Sequence, residues 1–257
     1  MSELDHLVVA AADLDEGVRW VEERLGVAMD AGGRHEVFGT HNRVLSLGPD
    51  CYLEVIAVDP QAPAPGRARW FELDTEAMRA RLADGPALVH WVVRVPSLDG
   101  ERHVMELSRG SNRWALTVAP DGRMPLGGLA PSRILWHTPP PATRLPDKGI
   151  RLDTLSISTP DEAALRLLVA GVVGPVTVSP GDSGLAATFS TPSGLAAIGG
   201  PTGVGGERPR YDIAVSLPLG VDPEPYAKGG ATWWLPEIDP GARLETVRGV
   251  LRDGPAA

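Results

Sequence analysis

The chain has 257 residues, of which 43% are hydrophobic, and it carries a formal charge of −9 and a single cysteine, Cys51. The net acidity argues against a nucleic acid or an anionic membrane surface as partner, because both favour basic patches. One cysteine excludes an internal disulfide and a multi-cysteine zinc site, so any metal would have to be bound by His, Asp and Glu.

The length is sufficient for one large domain or two small ones with a buried core. No apolar run approaches the about 18 residues that a membrane-spanning helix needs, and the opening residues lack the pattern of a signal peptide. We therefore expect a soluble, cytoplasmic protein.

The first 60 residues predict one strand, one helix and then three strands. The opening strand, Leu4–Ala10, is rich in β-branched residues. Asp13 is placed to cap the helix, with Glu16 completing a capping box, and Gly26 lies where a helix-ending glycine belongs. Apolar residues between them recur at helical spacing. The three strands are expected around residues 36–38, 43–47 and 51–58.

The opening of the chain recurs twice. Residues 4–15 and 88–99 are identical at six of twelve positions, and His6 aligns with His90. A third, fainter copy begins at Leu152, with a helix predicted to be capped by Thr159. Because a repeated unit has to bury its face against a copy, we predict paired modules. Whether the first copy pairs with the second or the third is left open by the sequence.

A segment rich in glycine and proline, residues 199–209, is the best linker in the chain. We therefore divide the chain into a domain of residues 1–200 and a linker and tail of residues 201–257. The tail contains one predicted helix, which begins at Asp239 and ends at Gly254.

Two histidines and one carboxylate are candidates for binding a metal. Glu54 shares a strand face with Tyr52 and Ile56, which predicts a buried carboxylate that needs a charge partner, a metal or a proton. His6 and His90, at equivalent positions of two copies, would converge across a pseudo-twofold axis. Two histidines and a carboxylate match the arrangement of non-haem iron, and suit zinc, manganese or nickel nearly as well.

Each of these histidines also has a purely structural interpretation. A lone strand histidine is more often a hydrogen-bonded core residue than a ligand. His137, on the last strand of the second copy, is either a fourth ligand or acid–base group, or a surface residue beside an inward-facing Trp136. Strand register, which decides between them, is poorly fixed by sequence.

Four short motifs occur in the order typical of the vicinal-oxygen-chelate superfamily, which includes glyoxalase I. Over about residues 3–200 the chain resembles the glyoxalase-like domain branch of that superfamily. The motifs are Asp5-His6, Gly32-Gly33-Arg34-His35, Gly39-Thr40-His41-Asn42 and Tyr52-Leu53-Glu54. The resemblance implies an α+β fold of repeated βαβββ modules, whose curled mixed sheets enclose a cavity, with a short C-terminal extension.

The resemblance also implies a divalent metal (Fe, Zn, Mn or Ni) held by His6, Glu54, His90 and a fourth group at His137. Such an ion chelates two adjacent substrate oxygens and holds the negative charge that develops on them. Glu54 would then serve as the base. The loop residues expected at the pocket mouth are His35, His41 and Asn42. The alternative for this loop is that Asn42 holds a turn by hydrogen bonds to the backbone.

Two functions of different class follow. The first is a metal-dependent enzyme that acts on a small oxygenated metabolite, as an isomerase or lyase or as a dioxygenase. The second is a metal-free protein that sequesters a small molecule, with aromatic cavity walls supplied by Trp91, Trp114 and Trp136.

The tail resembles a different family. Residues 229–235 and 244–255 are similar to the C-terminal end of luciferase-like flavin monooxygenases. A barrel enzyme binds its cofactor with loops from many strands, so this fragment alone should not hold a flavin. The paired Trp233 and Trp234 are instead expected to pack on the first domain or on a second subunit, which makes a homodimer one expectation.

Overall fold

The structure is a computed structural model that describes residues 1–201 and, beyond them, the strands at residues 214–217 and 233–236. The chain forms two compact units, Met1–Val204 and Gly205–Ala257. None of the helices in the described part is long and apolar enough to cross a membrane.

The first copy of the repeat is a complete βαβββ module. Its elements are β1 (Ser2–Ala10), α1 (Leu14–Leu25), β2 (Asp30–His35), β3 (Thr40–Ser46) and β4 (Tyr52–Val58).

The caps predicted for α1 are confirmed. Asp13 accepts a hydrogen bond from the backbone N–H of Glu16 at 3.0 Å, and Gly26 ends the helix in the left-handed conformation at φ 72°. The helix lies close to the sheet at Gly17, where a Cβ atom would fall 2.7 Å from the side chains of Ala11 and Val55. A glycine at this position is therefore what allows α1 to pack directly on β1 and β4.

The second copy follows a short helix, α2 (Glu76–Ala83), and has no helix of its own after its first strand. Its strands are β5 (Ala87–Arg94), β6 (Val104–Arg109), β7 (Asn112–Thr117) and β8 (Ser132–Trp136). Three short 3-10 helices, at Trp70–Glu72, Pro125–Gly128 and Pro141–Thr143, lie in the connections.

The first two copies share one curled mixed sheet, in the order β2-β3-β4-β1-β5-β8-β7-β6. Within each copy the first strand runs parallel to the last, β1 beside β4 and β5 beside β8. The copies join where β1 pairs antiparallel with β5. This confirms the predicted α+β fold of repeated modules, and it shows that the first copy pairs with the second.

The third copy forms a separate sheet. Its elements are β9 (Arg151–Thr159), α3 (Glu162–Leu168), β10 (Val172–Val173), β11 (Val176–Pro180), β12 (Gly184–Thr191) and β13 (Gly194–Pro201). Four of its strands are ordered β11-β9-β12-β13, and β10 pairs with β1 instead. The predicted cap Thr159 is wrong, because this residue ends β9 and Asp161 caps α3 by accepting from the backbone N–H of Ala164 at 3.1 Å.

The large sheet is covered differently on its two faces. Its outer face, with Leu7, Leu53 and Trp91, packs against α1 and against the third-copy sheet, which contributes Leu155 and Phe189. Its inner face carries a second apolar cluster, which includes Val8, Ile56, Trp70 and Phe71. Strand alternation assigns His6, Glu54 and His90 to this inner face, because Tyr52 pairs with His6 while Glu54 and His90 flank Val8.

In the second unit, β14 (Ala214–Leu217) pairs in parallel with β15 (Trp233–Pro236). The predicted pair Trp233 and Trp234 begins β15. The predicted tail helix, from Asp239 to Gly254, lies outside the described residues.

Replacing Phe189 by alanine tests the packing of the third-copy sheet on the large sheet. The Phe189 side chain is fully buried, so Phe189→Ala should lower the free energy of unfolding by about 3–5 kcal/mol. Urea denaturation measures this, with Leu195→Ala, at a side chain that is 70% exposed, as control. Equal midpoints for the two variants would contradict the packing.

Candidate functional site

A cleft opens on the inner face of the large sheet, between its first and second halves. The polar side chains in its wall are His6, His35, Asn42, Tyr52, Glu54 and Arg109, and the aromatic ones include Trp70, Trp114 and Trp136.

His6 is held by the acid that precedes it. Its Nδ1 lies 2.6 Å from Oδ1 of Asp5, while Oδ2 of Asp5 accepts from the indole N–H of Trp136 at 3.0 Å. The ring of Tyr52 stacks on the imidazole, with centroids 4.5 Å apart. Because Asp5 occupies Nδ1, the free nitrogen of His6 is Nε2, which lies 3.9 Å from Oε2 of Glu54.

Glu54 is held by Asn42. The amide nitrogen of Asn42 donates to Oε1 of Glu54 at 2.5 Å. Its amide oxygen accepts from the backbone N–H of Gly33 at 2.8 Å and from Nη1 of Arg109 at 3.0 Å. Since a backbone N–H and a guanidinium can only donate, the amide oxygen has to face them, and the nitrogen is left to face Glu54.

The two adjacent glycines make room for this arrangement. A Cβ atom at Gly32 would lie 2.2 Å from the amide oxygen of Asn42, and one at Gly33 would lie 2.9 Å from Cδ of Arg109. Real Cβ atoms do not approach other atoms so closely. The Gly-Gly motif therefore has a direct physical role, which is to let Asn42 and Arg109 lie against β2.

His35 supports Arg109 from the other side. Nε2 of His35 accepts from Nη1 of Arg109 at 2.8 Å, and its Nδ1 lies 3.3 Å from the hydroxyl of Thr40. Burial, and then the positive charge of Arg109, hold the pKa of His35 well below its usual value. His35 is therefore a neutral acceptor at physiological pH, and it positions the guanidinium.

His90 lies on the inner face but does not line the cleft. Its Nε2 accepts from the backbone N–H of Ser132 at 3.2 Å, and its Nδ1 lies 3.2 Å from the carbonyl oxygen of Gly128. Burial lowers its pKa to about 3. Both ring nitrogens are engaged and the side chain is fully buried, so this histidine has the position of a neutral core residue.

Three more predicted site residues lie away from the cleft. Trp91 follows His90 on the same strand, so it points to the outer face, where its indole N–H donates to the carbonyl of Leu129 at 2.9 Å. His41 is not in the cleft wall and precedes Asn42, so alternation turns it to the other face. His137 follows the end of β8, where its exposed ring pairs with Glu106 at 2.9 Å.

The structure therefore brings together six of the predicted residues: His6, Glu54, His35, Asn42, Trp114 and Trp136. Their functional roles stay predictions. Sequence reasoning missed the contribution of Asp5, although its place before His6 in the motif was a usable signal. It also missed Arg109, for which no local signal exists, because β6 meets the first module only through the tertiary fold.

A metal at this site would need more ligands than the cleft supplies. Within residues 1–201, no group of three or more His, Cys, Asp and Glu side chains converges in a way that could hold an ion. His6 and Glu54 face each other, His90 is engaged elsewhere, and the cationic Arg109 lies in the same wall. Catalytic zinc sites use three protein ligands, so the described donor set does not fit the predicted metal.

Comparison with known proteins gives a family match over most of the chain. The family model described as "Glyoxalase-like domain" matches residues 4–173. This match supports the vicinal-oxygen-chelate class of enzymes, without a specific substrate or reaction. No curated protein is significantly similar in sequence.

Several solved structures are similar to parts of the chain. A hypothetical protein from Staphylococcus aureus is 12% identical, with a TM-score of 0.49, over 71% of this chain and 88% of its own. Methylmalonyl-CoA epimerase from Mycobacterium tuberculosis is 20% identical, with a TM-score of 0.33, over 52% of this chain and 85% of its own. A variant of the Streptomyces coelicolor methylmalonyl-CoA epimerase is 18% identical, with a TM-score of 0.33, over 52% of this chain and 94% of its own.

The buried, neutral state of His90 predicts a pH dependence of stability. Below pH 6.5 the unfolded chain binds a proton at His90. The folded chain does not bind this proton, because burial lowers the pKa of His90 to about 3. Stability is therefore lost as the pH falls, by about 2 kcal/mol between pH 7 and pH 5 from this residue alone. Urea denaturation at both pH values measures this loss of stability. In His90→Gln the loss should be smaller than in wild type by about that amount. An unchanged loss would show that His90 is not held neutral.

Proposed function

Because the chain belongs to the glyoxalase-like domain family of the vicinal-oxygen-chelate superfamily, we propose that it is an enzyme that moves protons on a small oxygenated metabolite, as an isomerase or lyase. The observation that supports this is the pair formed by His6 and Glu54. Nε2 of His6 and Oε2 of Glu54 face each other at 3.9 Å in the cleft. Asp5 holds His6 through the other ring nitrogen, Nδ1, and Asn42 holds Glu54 through Oε1.

This pair has the groups that isomerisation of a hydroxycarbonyl compound needs. Glu54 takes a proton from the carbon next to the carbonyl, and the C–H electron pair forms the C=C bond. The carbonyl oxygen takes a proton from Nε2 of the positively charged His6 ring, which becomes neutral and keeps its Nδ1–H on Asp5. The product is a neutral enediol. Glu54 then returns its proton to the neighbouring carbon, and the other hydroxyl returns one to His6, so protons balance at both residues.

The residues behind the pair fit these roles. Asp5 orients the His6 ring and stabilises it when it is positively charged, as a buried carboxylate does for a catalytic histidine. Asn42 occupies Oε1 of Glu54 and leaves Oε2 for the substrate. Trp114 and Trp136 give the cleft aromatic walls, and such walls lower the local dielectric constant, which strengthens the electrostatic interactions inside the cleft.

Dioxygenase chemistry, the other enzymatic interpretation of the sequence, is not what we propose. A non-haem iron site needs two histidines and a carboxylate at one point. Within residues 1–201 no such group converges, because His35 is turned to Arg109 and His90 to Ser132. Proton transfer uses groups that are already in position.

Proton exchange from carbon in D2O tests the proposal. Hydroxypyruvate and hydroxyacetone, with hydrogens next to a carbonyl, are incubated with the protein and followed by ¹H NMR, with and without a chelator. We expect exchange in both conditions, and a 10²–10⁴-fold slower rate in Glu54→Gln and in His6→Gln, because each loses a proton-transferring group.

Matched controls are Glu106→Gln and His103→Gln, which change the same residue types at exposed positions. They should exchange at the wild-type rate. A substrate that raises the melting temperature without any exchange would contradict the proposal and favour the metal-free binding protein. Exchange that the chelator abolishes and an added divalent metal restores would contradict the role given to protein residues alone.

A further inference from the structure

Arg109 brings a positive charge into the wall of the cleft. It lines the cleft and is half-buried, yet no carboxylate within residues 1–201 forms an ion pair with it. By contrast, Arg34 pairs with Asp59 at 3.1 Å, and Arg69 pairs with Asp74 at 2.6 Å. Its described acceptors are the neutral His35 and Asn42, both at Nη1.

The protein holds this charge apart from the acid next to it. Arg109 and Glu54 both bond to the amide of Asn42, one at its oxygen and the other at its nitrogen. The amide therefore lies between the two charges and prevents a direct ion pair. A guanidinium that is partly removed from water and lacks a counterion favours binding of an anion.

The guanidinium is also fixed in direction. Nη1 is occupied by His35 and Asn42, and the aliphatic part of the side chain lies against Gly33, at a place where a Cβ would be 2.9 Å from Cδ. Among the described residues, none accepts a hydrogen bond from Nη2 or Nε. These two nitrogens present the planar, two-donor edge that matches the two oxygens of a carboxylate.

We infer that Arg109 binds a carboxylate of the ligand, so that the substrate class is a small hydroxy or oxo acid rather than a neutral hydroxycarbonyl compound. The role of this ligand as a substrate rests on the proposed function, whereas the binding of a carboxylate at Arg109 does not. In this arrangement the carboxylate lies at Arg109, and the rest of the molecule extends past Asn42 to His6 and Glu54. Arg109 thereby determines which compounds reach the acid–base pair in the correct orientation.

Binding of pyruvate tests this inference without any turnover. Isothermal titration calorimetry compares pyruvate with its neutral amide and with inorganic phosphate on the full chain. We expect pyruvate to bind at least 10-fold more tightly than the amide or phosphate. Arg109→Gln should weaken pyruvate binding about 10- to 100-fold, and Arg109→Lys by an intermediate factor, because lysine keeps the charge but loses the two-donor edge.

Two further variants separate position from charge. Gly33→Ala keeps Arg109 but places a methyl group against its side chain, so it should also weaken pyruvate binding. Arg113→Gln removes an exposed arginine from the same hairpin and should leave binding unchanged. The melting temperature of each variant shows that it is folded.

Each outcome has a clear meaning. Absence of pyruvate binding to wild type, equal affinity for the amide, equal affinity for phosphate, or unchanged affinity in Arg109→Gln would overturn the inference. Pyruvate binding that depends on Arg109, without proton exchange on any hydroxycarbonyl compound, would sustain the inference and contradict the proposed function. Exchange that proceeds equally well in Arg109→Gln would sustain the function and contradict the inference.

Discussion

The arrangement of the cleft depends on one amide. Asn42 accepts from Arg109 and from the backbone of Gly33 with its oxygen, and it donates to Glu54 with its nitrogen. These partners fix the positions of the amide oxygen and the amide nitrogen. The amide therefore cannot rotate without leaving buried groups unpaired, at a cost of about 1–3 kcal/mol for each group. Glu54 and Arg109 are thus kept near each other without neutralising one another.

The fold supplies the partners of this amide from distant parts of the chain. Antiparallel pairing of β1 with β5 joins the two copies in one curled sheet, and the curl brings Arg109, at the end of β6, to the glycines of β2. The same sheet places His6 and Glu54 on neighbouring parallel strands, with the side chains on one face. An acid–base pair from the first copy therefore meets an arginine from the second.

Much of this fold could be predicted from the sequence, because the signals are local and periodic. The repeated opening predicted the modules, and Asp13 and Gly26 predicted the ends of α1. For α3 the sequence predicts Thr159 as the cap, whereas the structure has Asp161. Neighbouring polar residues offer similar caps, and only the end of β9 decides between them.

The site was predictable only in part. Strand alternation could have shown that neighbouring residues such as His90 and Trp91, or His41 and Asn42, cannot both face one cavity. The repeat suggested that His90 would act like His6. However, its ring nitrogens are occupied by Gly128, from a distant connection, and by Ser132, from β8. Arg109 could not be predicted, because its contacts exist only in the assembled sheet.

His35 is a neutral acceptor that, with Asn42, holds Arg109 in the cleft. The most direct measurement is ¹⁵N NMR of the imidazole nitrogens between pH 6 and pH 8, with His35→Gln used to assign the signals. Burial and the charge of Arg109 lower the pKa of His35, so we expect one neutral tautomer, protonated at Nδ1, across the whole range. Protonation of His35 with a midpoint near 6.5 would contradict the account, because a positively charged ring cannot accept a hydrogen bond from a guanidinium.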